Sequence, residues 1–197
     1  MIRYPNGKVL VKKSEKKVKS ENIDYRNRGM SFEQDINITL DYYEEHGLAL
    51  MSKRPTPINV VKVDYSRGAR IIDAYFEKQS TTDYNGVYRG KYMDFEAKST
   101  QNKTSFPLHN ITDHQISHLK KVLLHGGIAF FIIEFIAHEK VFLLDASIVV
   151  SYYQNGSRKS IPYADVVRFG TEIEQGYLPR LKLLESIDEV YFHEKKD

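Results

Sequence analysis

The first regular pattern along the chain is a stripe of apolar residues at helical spacing, formed by Ile36, Leu40 and Tyr43. Residues at i, i+4 and i+7 lie on one face of a helix, so the stripe predicts a helix with one buried side. Ser31 and Gln34 have the spacing of a capping box, which predicts that this helix begins at Ser31. Glu33 falls on the same stripe, and we expect it either to point outward from a frayed first turn or to face something polar.

A second helix is predicted after Thr112, where Thr112 and Gln115 repeat the capping-box spacing. Its apolar face consists of Ile116, Leu119 and Leu123. His114 and His118 lie four residues apart on this helix, a spacing that zinc ligands can have. The segment lacks the glutamate of a zinc-protease motif and no third ligand is evident, so a zinc enzyme is disfavoured.

Apolar runs predict strands around these helices. The predicted strands are residues 48–53, 58–65, 69–78, 127–135 and 140–146, and a helical region is predicted around residues 178–192. Helices and strands are interspersed without an internal repeat or a low-complexity linker. The pattern therefore predicts one α/β domain.

The strands at 58–65 and 69–78 flank a short turn and predict a hairpin. This hairpin interleaves basic and aromatic side chains, namely Lys62, Arg67, Arg70 and Lys78 with Tyr65, Tyr75 and Phe76. Such a ribbon is suited to nucleic acid, because cations contact phosphates and aromatic rings stack on bases. An ordinary edge hairpin with solvated charges has the same pattern.

The charge of the chain is unevenly distributed. Residues 1–28 contain nine Lys or Arg and three acidic residues, whereas the whole chain has a net charge of only +3. A basic arm before a mildly acidic body favours a polyanionic partner, although a solvated tail is the alternative. The chain has no cysteine, which excludes disulfides and thiolate metal sites. Its longest apolar run is too short to span a bilayer and no secretory signal is evident, so we expect a cytoplasmic protein.

Residues 81–100 break the usual composition of a strand, because Asp83, Asp94, Glu96 and Lys98 lie among strand-forming aromatic residues. The segment can form a hairpin with a two-residue turn either at residues 89–90 or at residues 85–86. A turn at 89–90 places Asp83 opposite Glu96, whereas a turn at 85–86 separates them. Asn-Gly at 85–86 is the better hairpin dipeptide, so the register remains open, and these two residues could also form a bend within the strand.

In the first register, the opposed carboxylates have Cβ atoms about 5 Å apart, and such like charges destabilise a sheet unless a cation lies between them. Thr81, Asp83 and Glu96 offer oxygen ligands, which suit Mg²⁺ or Mn²⁺. Lys98 would stabilise negative charge developing on a phosphate. The Asp-x12-Glu-x-Lys pattern is typical of metal-dependent nucleases, but by itself it could also be a solvated strand face.

Longer motifs place the chain near a known family. The motifs are NRGMSFE (27–33), RPTPINVV (54–61), STTDYNGVYRGKYMDFEAK (80–98), NKTSFPL (102–108), DHQ (113–115), RKSIP (158–162) and DEVYF (188–192). They closely resemble the RecU family of bacterial Holliday junction resolvases, over nearly the whole chain except residues 8–25. The resemblance implies a restriction-endonuclease-like fold, a mixed sheet flanked by helices, in a homodimer that cuts four-way DNA junctions by paired nicks.

The resemblance also implies residue roles. The metal site falls on Thr81, Asp83, Glu96 and Gln115, with Mg²⁺ as the expected ion, Mn²⁺ as a second candidate, and Lys98 as the transition-state stabiliser. Gln115 could serve as a helix cap or a metal ligand, and the resemblance favours the ligand. Glu33 is expected to be an indirect partner of the metal site.

The resemblance further implies a projecting stalk at about residues 54–78. DNA contacts are expected at Arg28, Lys53, Arg54, Lys62, Arg67 and Arg70. A RecA-type recombinase is a further expected partner. We predict a flexible basic arm at residues 1–28 and one nuclease domain at residues 29–197. The alternative is a module that binds branched DNA or a recombinase without cutting.

Overall fold

The structure, a computed structural model, describes residues 26–77, 81–155 and 158–192. Its first helix, α1 (Arg26–Glu45), buries the predicted stripe and extends it back to Phe32. The predicted start at Ser31 is wrong, because the helix begins five residues earlier and continues through Gly29. A glycine inside a helix costs only about 1 kcal/mol, which the buried stripe downstream offsets. Residues 1–25 of the predicted arm lie outside the described residues, and residues 26–28 belong to α1.

A six-stranded mixed sheet forms the centre of the molecule. Its strands in spatial order are β1 (Leu50–Lys53), β4 (Tyr84–Tyr88), β5 (Lys91–Thr100), β7 (Ile128–Phe135), β8 (Lys140–Asp145) and β10 (Thr171–Ile173). All neighbouring strands are antiparallel except β5 and β7, which are parallel. Parallel neighbours need a crossover connection, and α2 (Asp113–Leu124) lies within it.

Helices cover both faces of this sheet. On one face α1 and α5 (Leu183–Ile187) enclose a core with Phe95 and Phe130, and a π-helical turn (Asp188–Phe192) follows α5. On the other face α2 packs with α3 (Ala146–Gln154) and α4 (Tyr163–Phe169) over Phe131 and Phe135. Because β7 is buried on both faces, its sequence is apolar at every position except Glu134. The predicted mixed α/β architecture is confirmed.

The hairpin predicted to project from the body is confirmed as a separate sheet. β2 (Ile58–Asp64) and β3 (Arg70–Phe76) pair with each other and not with the central sheet. Every residue of β3 is exposed, and the pairing contains two register shifts near Lys62. A third sheet, also of two strands, pairs β6 (Ser105–Pro107) with β9 (Ser160–Pro162). None of the helices in the described ranges is both long and apolar enough to cross a membrane.

Candidate active site

The hairpin β4–β5 determines how the charged residues are arranged. Tyr84 pairs with Phe95 and Tyr88 pairs with Lys91, so the two-residue turn is Arg89–Gly90. Both turn residues have positive φ angles, 48° and 72°, as hairpin turns of type I′ require. The register that brings Asp83 towards Glu96 is therefore confirmed.

The competing turn at Asn85–Gly86 is wrong, because Gly86 lies inside β4 and its pairing with β5 has no shift. Here β1 passes very close to β4. A Cβ on Gly86 would lie 2.1 Å from the carbonyl oxygen of Leu50 and 2.5 Å from Cα of Met51. A glycine is thus needed at position 86 because the neighbouring strand β1 passes so close, and not because the chain turns there. The preference of the Asn-Gly dipeptide for turns does not reveal this contact.

Asp83, Glu96 and Lys98 converge as the register predicts. The backbone N–H of Asp83 donates to Oε2 of Glu96 at 3.1 Å, and Nζ of Lys98 lies 2.6 Å from Oε1 of Glu96. Glu96 is completely buried. Its pKa is raised to about 7, mainly by burial; Lys98 opposes the shift, and the carboxylate of Asp83 adds to it. The site therefore holds two like charges together in an environment of low polarity, where a cation is favoured.

Gln115 reaches the same carboxylate from α2. Its Nε2 donates to Oε1 of Glu96 at 2.5 Å, and its Oε1 accepts from the backbone N–H of Thr112 at 3.0 Å. Thr112 in turn accepts from the backbone N–H of Gln115, so the predicted capping box is confirmed. In this arrangement the amide oxygen, the atom that would bind a metal, is engaged in the cap. Metal binding by Gln115 stays a prediction, and it requires the amide to turn over.

The oxygen donors at this site fit a hard divalent cation. Asp83 and Glu96 supply two carboxylates, and the half-buried Thr81 lies two residues before Asp83. No group of three His, Asp or Glu side chains in the described part of the chain forms a ready metal cage. Mg²⁺ is commonly bound by one or two carboxylates, with water and substrate phosphates completing its coordination. The donor set is therefore of the Mg²⁺ type, and the individual ligands stay predictions.

A second polar cluster surrounds Asp94, which is completely buried two residues before Glu96. Its carboxylate accepts hydrogen bonds from Arg54 at 2.5 Å, from the hydroxyl of Tyr92 at 2.7 Å and from the hydroxyl of Thr82, and it lies 2.8 Å from Nε2 of His118. Arg54 is the first residue of the predicted stalk. This cluster therefore ties the root of the hairpin to the strand that carries Glu96.

Asp94 was visible in the sequence as a carboxylate on the charged strand face, but its partners were not. The partner Arg54 lies 40 residues away along the chain, and the spacing of His118 from His114 gives no indication of a contact with Asp94. The signal that could have found the cluster is an aspartate between the apolar residues Met93 and Phe95, since a buried charge there needs partners.

The predicted DNA-binding residues fall into three groups. Lys62, Arg67 and Arg70 are exposed on β2–β3 and its tip. Lys53 pairs with Glu33 on the surface, and in the sheet it lies opposite Tyr84, the residue that follows Asp83. Arg54 directs its guanidinium inward to Asp94, with 22% of its side chain exposed. The side chain of Arg28 lies outside the described part of the chain. The roles of all these residues, including Glu33, stay predictions.

A buried glutamate beside a second carboxylate and a lysine, on the central strands of a mixed sheet, defines a candidate phosphodiester-cleaving site. Residues 27–189 match the model of the family described as RecU, Recombination protein U. This chain belongs to the RecU family. The resemblance seen in the sequence motifs is thereby confirmed.

Individual relatives cover the chain almost completely. It is 48% identical over 198 residues to a protein of Geobacillus sp. strain WCH70, with 98% of each chain covered. It is 49% identical over 197 residues to a protein of Bacillus thuringiensis strain Al Hakam, with 97% of this chain and 98% of the relative covered. Both relatives are named Holliday junction resolvase RecU.

One solved structure with a similar chain path is that of Archaeoglobus fulgidus Hjc, described as a Holliday junction resolvase from an archaeal hyperthermophile. The likeness covers 73% of this chain and 95% of Hjc, with 13% identity and a TM-score of 0.42.

Proposed function

We propose that this protein is a metal-dependent endodeoxyribonuclease that resolves four-way DNA junctions by paired nicks in opposing strands. The observation that carries the proposal is the convergence of Asp83, Glu96 and Lys98 on β4–β5. It occurs in a chain 48% identical, over 98% of its length, to a protein named Holliday junction resolvase RecU. Cleavage during recombination and repair, in the cytoplasm, is the corresponding cellular role.

In this proposal Asp83 and Glu96 hold the metal, with Thr81 as a neutral oxygen ligand and Gln115 as a further ligand if its amide turns. Mg²⁺, or alternatively Mn²⁺, supplies positive charge against the scissile phosphate when it is bound. Lys98 keeps a fixed positive charge at the same carboxylate, where it can donate to a phosphate oxygen as negative charge develops. The buried position of Glu96 keeps bulk water from screening these charges.

The hairpin β2–β3 binds the branched DNA. Tyr65, Tyr75 and Phe76 are exposed large side chains that can stack on unpaired bases, and Lys62, Arg67 and Arg70 can contact phosphates. A homodimer suits a junction with two-fold symmetry, because each active site then meets an equivalent strand. Arg28 and Arg67 are the positions we propose for modulation of a RecA-type recombinase.

The alternative is a protein that binds branched DNA or a recombinase without cutting. A protein that only binds gains nothing from two opposed carboxylates beside DNA phosphates, since like charges there weaken the grip. The charged strand face therefore favours catalysis.

The test is a cleavage assay on a four-way junction with a short homologous core, with Mg²⁺ and with EDTA. We expect paired, symmetric nicks that need Mg²⁺ and that disappear in Glu96→Gln. Tight binding of the junction without nicks by the wild-type protein would support the alternative and reject the nuclease.

A further inference from the structure

A small cavity lies beside the candidate active site. It has a volume of about 270 Å³ and is lined by Thr81, His114, Ser117, His118 and Lys121. The last four residues lie on α2 at positions i, i+3, i+4 and i+7, so they form one stripe along the helix. Each of them offers a hydrogen-bond donor, and no carboxylate belongs to this lining among the described residues. We call these four residues the α2 stripe.

The α2 stripe adjoins the candidate active site without being part of it. His114 is next to Gln115, which bonds to Glu96 at 2.5 Å. On the opposite wall, Thr81 is two residues from Asp83. A DNA strand whose scissile phosphate lies against Glu96 and Lys98 can therefore contact the stripe with its backbone.

One member of the α2 stripe is held from behind by the cluster at Asp94. Nε2 of His118 lies 2.8 Å from Oδ2 of Asp94, which also accepts from Arg54 and Tyr92. A carboxylate in this position can only accept, so Nε2 of His118 carries the proton and Nδ1 is left for another partner. The ring is therefore ordered before any ligand arrives, which lowers the entropy cost of binding.

We propose that the α2 stripe is a phosphate-binding subsite for the cleaved DNA strand, which takes a backbone phosphate next to the scissile one. Lys121 supplies the positive charge, and His114 and Ser117 supply further donors. Such a contact carries no base information and fixes the position of the strand against Glu96. The inference rests on the proposed function, because it takes the scissile phosphate to lie at Glu96.

The experiment compares Lys121→Ala with Lys120→Ala, which removes the same charge from the neighbouring position of the same helix. Lys120 is exposed and does not line the cavity at Thr81, although it lines a neighbouring cavity that Ser117 and Lys121 also border. Binding of a four-way junction is measured in EDTA over a salt series. Each junction carries one neutral methylphosphonate, placed at a different position around the expected nick. The charge of each phosphate is thereby removed one at a time.

We expect Lys121→Ala to lose on the order of tenfold in affinity at low salt. The slope of log affinity against log salt should fall by about 1, as for one lost phosphate contact. One methylphosphonate should weaken wild-type binding and leave Lys121→Ala unaffected, which is the signature of a coupled pair. Lys121→Arg should restore the slope, and Lys120→Ala should keep the wild-type response at that position.

Equal losses for Lys121→Ala and Lys120→Ala, with no position-specific coupling, would overturn the subsite. Inorganic phosphate alone, at constant ionic strength, provides a second check through the NMR signals of the His114 and His118 rings. If phosphate shifts them strongly while the junction does not, the cavity is an anion site unrelated to DNA and the proposal fails.

Cleavage by the wild-type protein in Mg²⁺ is measured separately from these binding data. Position-specific coupling without any nicks would support the subsite and reject the nuclease. Nicks without position-specific coupling would support the nuclease and reject the subsite.

Discussion

Two hairpins follow one another along the chain, and they differ in almost every physical property. In β2–β3 both register shifts fall near Lys62 and every residue of β3 is exposed. In β4–β5 the register is continuous, and Met93 to Glu96 are buried between neighbouring strands. A strand pair in the middle of a sheet is held by both neighbours, whereas an isolated pair is only marginally stable. The difference matches the division of labour proposed above, with chemistry on the rigid hairpin and DNA contact on the free one.

The largest expected effect concerns the rigid hairpin. Glu96→Gln keeps the shape of the side chain but removes its charge, so we expect cleavage to fall by at least about 10³-fold, as when a group that stabilises transition-state charge is lost. Junction binding in EDTA should remain close to wild type. Single-turnover cleavage and fluorescence anisotropy provide the two measurements, and Arg67→Ala serves as the matched change in the other hairpin. Mg²⁺-dependent cutting by Glu96→Gln would show that the active site lies elsewhere.

The next largest effect is expected at Arg54, which joins the start of the hairpin β2–β3 to strand β5 of the hairpin β4–β5. Arg54→Ala leaves the buried carboxylate of Asp94 without its cation, so we expect the free energy of unfolding to fall by about 3 kcal/mol. Lys53→Ala, one residue earlier and paired only on the surface, should change it by less than about 0.5 kcal/mol. Urea unfolding of the two variants measures the difference. A stable Arg54→Ala that binds junctions poorly would instead support the predicted DNA-binding role of Arg54.

A smaller effect is expected from glycines within β4–β5. Gly86→Ala places a Cβ against the backbone of β1, and we expect a loss of about 2 kcal/mol as the strands are forced apart. Gly90→Ala meets no atom within 4 Å and suffers only from its φ of 72°, at about 1 kcal/mol. Thermal unfolding should therefore rank wild type above Gly90→Ala and Gly90→Ala above Gly86→Ala. The opposite order would mean that β1 does not pass so closely.

The smallest effect on stability is expected in the free hairpin. Arg67→Ala removes an exposed charge, and the free energy of unfolding should change by less than about 0.5 kcal/mol. Junction affinity should nevertheless fall severalfold at low salt, with a salt slope reduced by about 1, and the loss should shrink as salt rises. Competition binding over a salt series measures this. An unchanged slope would remove Arg67 from the phosphate contacts.

The elements that sequence analysis predicted well are those in which local pattern and tertiary packing agree. The apolar run of β7 is buried on both faces, and the capping box of α2 forms as its spacing predicts. The start of α1 was wrong, because the spacing of Ser31 and Gln34 also occurs inside a helix whose buried stripe extends further back. The helix α3 was missed, because its Val149, Val150 and tyrosines favour strands in isolation and become helical only over the core.

The candidate site, too, could be predicted from the sequence only where local pattern was sufficient. Asp83, Glu96 and Lys98 could be predicted from their spacing once a register was assumed, but local sequence could not choose the register, because Gly86 accommodates β1 and does not form a turn. The contact of Gln115 with Glu96 and that of Arg54 with Asp94 join segments that only the folded sheet brings together. Sequence spacing carries no signal for such pairs. The resemblance to the RecU family supplied what local chemistry could not.

The parallel pairing of β5 with β7 has a consequence for how the molecule folds. A parallel pair closes a loop through α2, and the residues proposed for catalysis and for the phosphate subsite all lie within residues 81–121. The entropy of closing a loop grows only slowly with its length, and short loops form the fastest contacts. The residues proposed for catalysis are therefore encoded in one contiguous stretch, but its parallel partner β7 lies 35 residues further on, as in the pair Met93 and Ile128. We expect the β4–β5 hairpin to form before this parallel pairing, because contacts between distant residues form slowly.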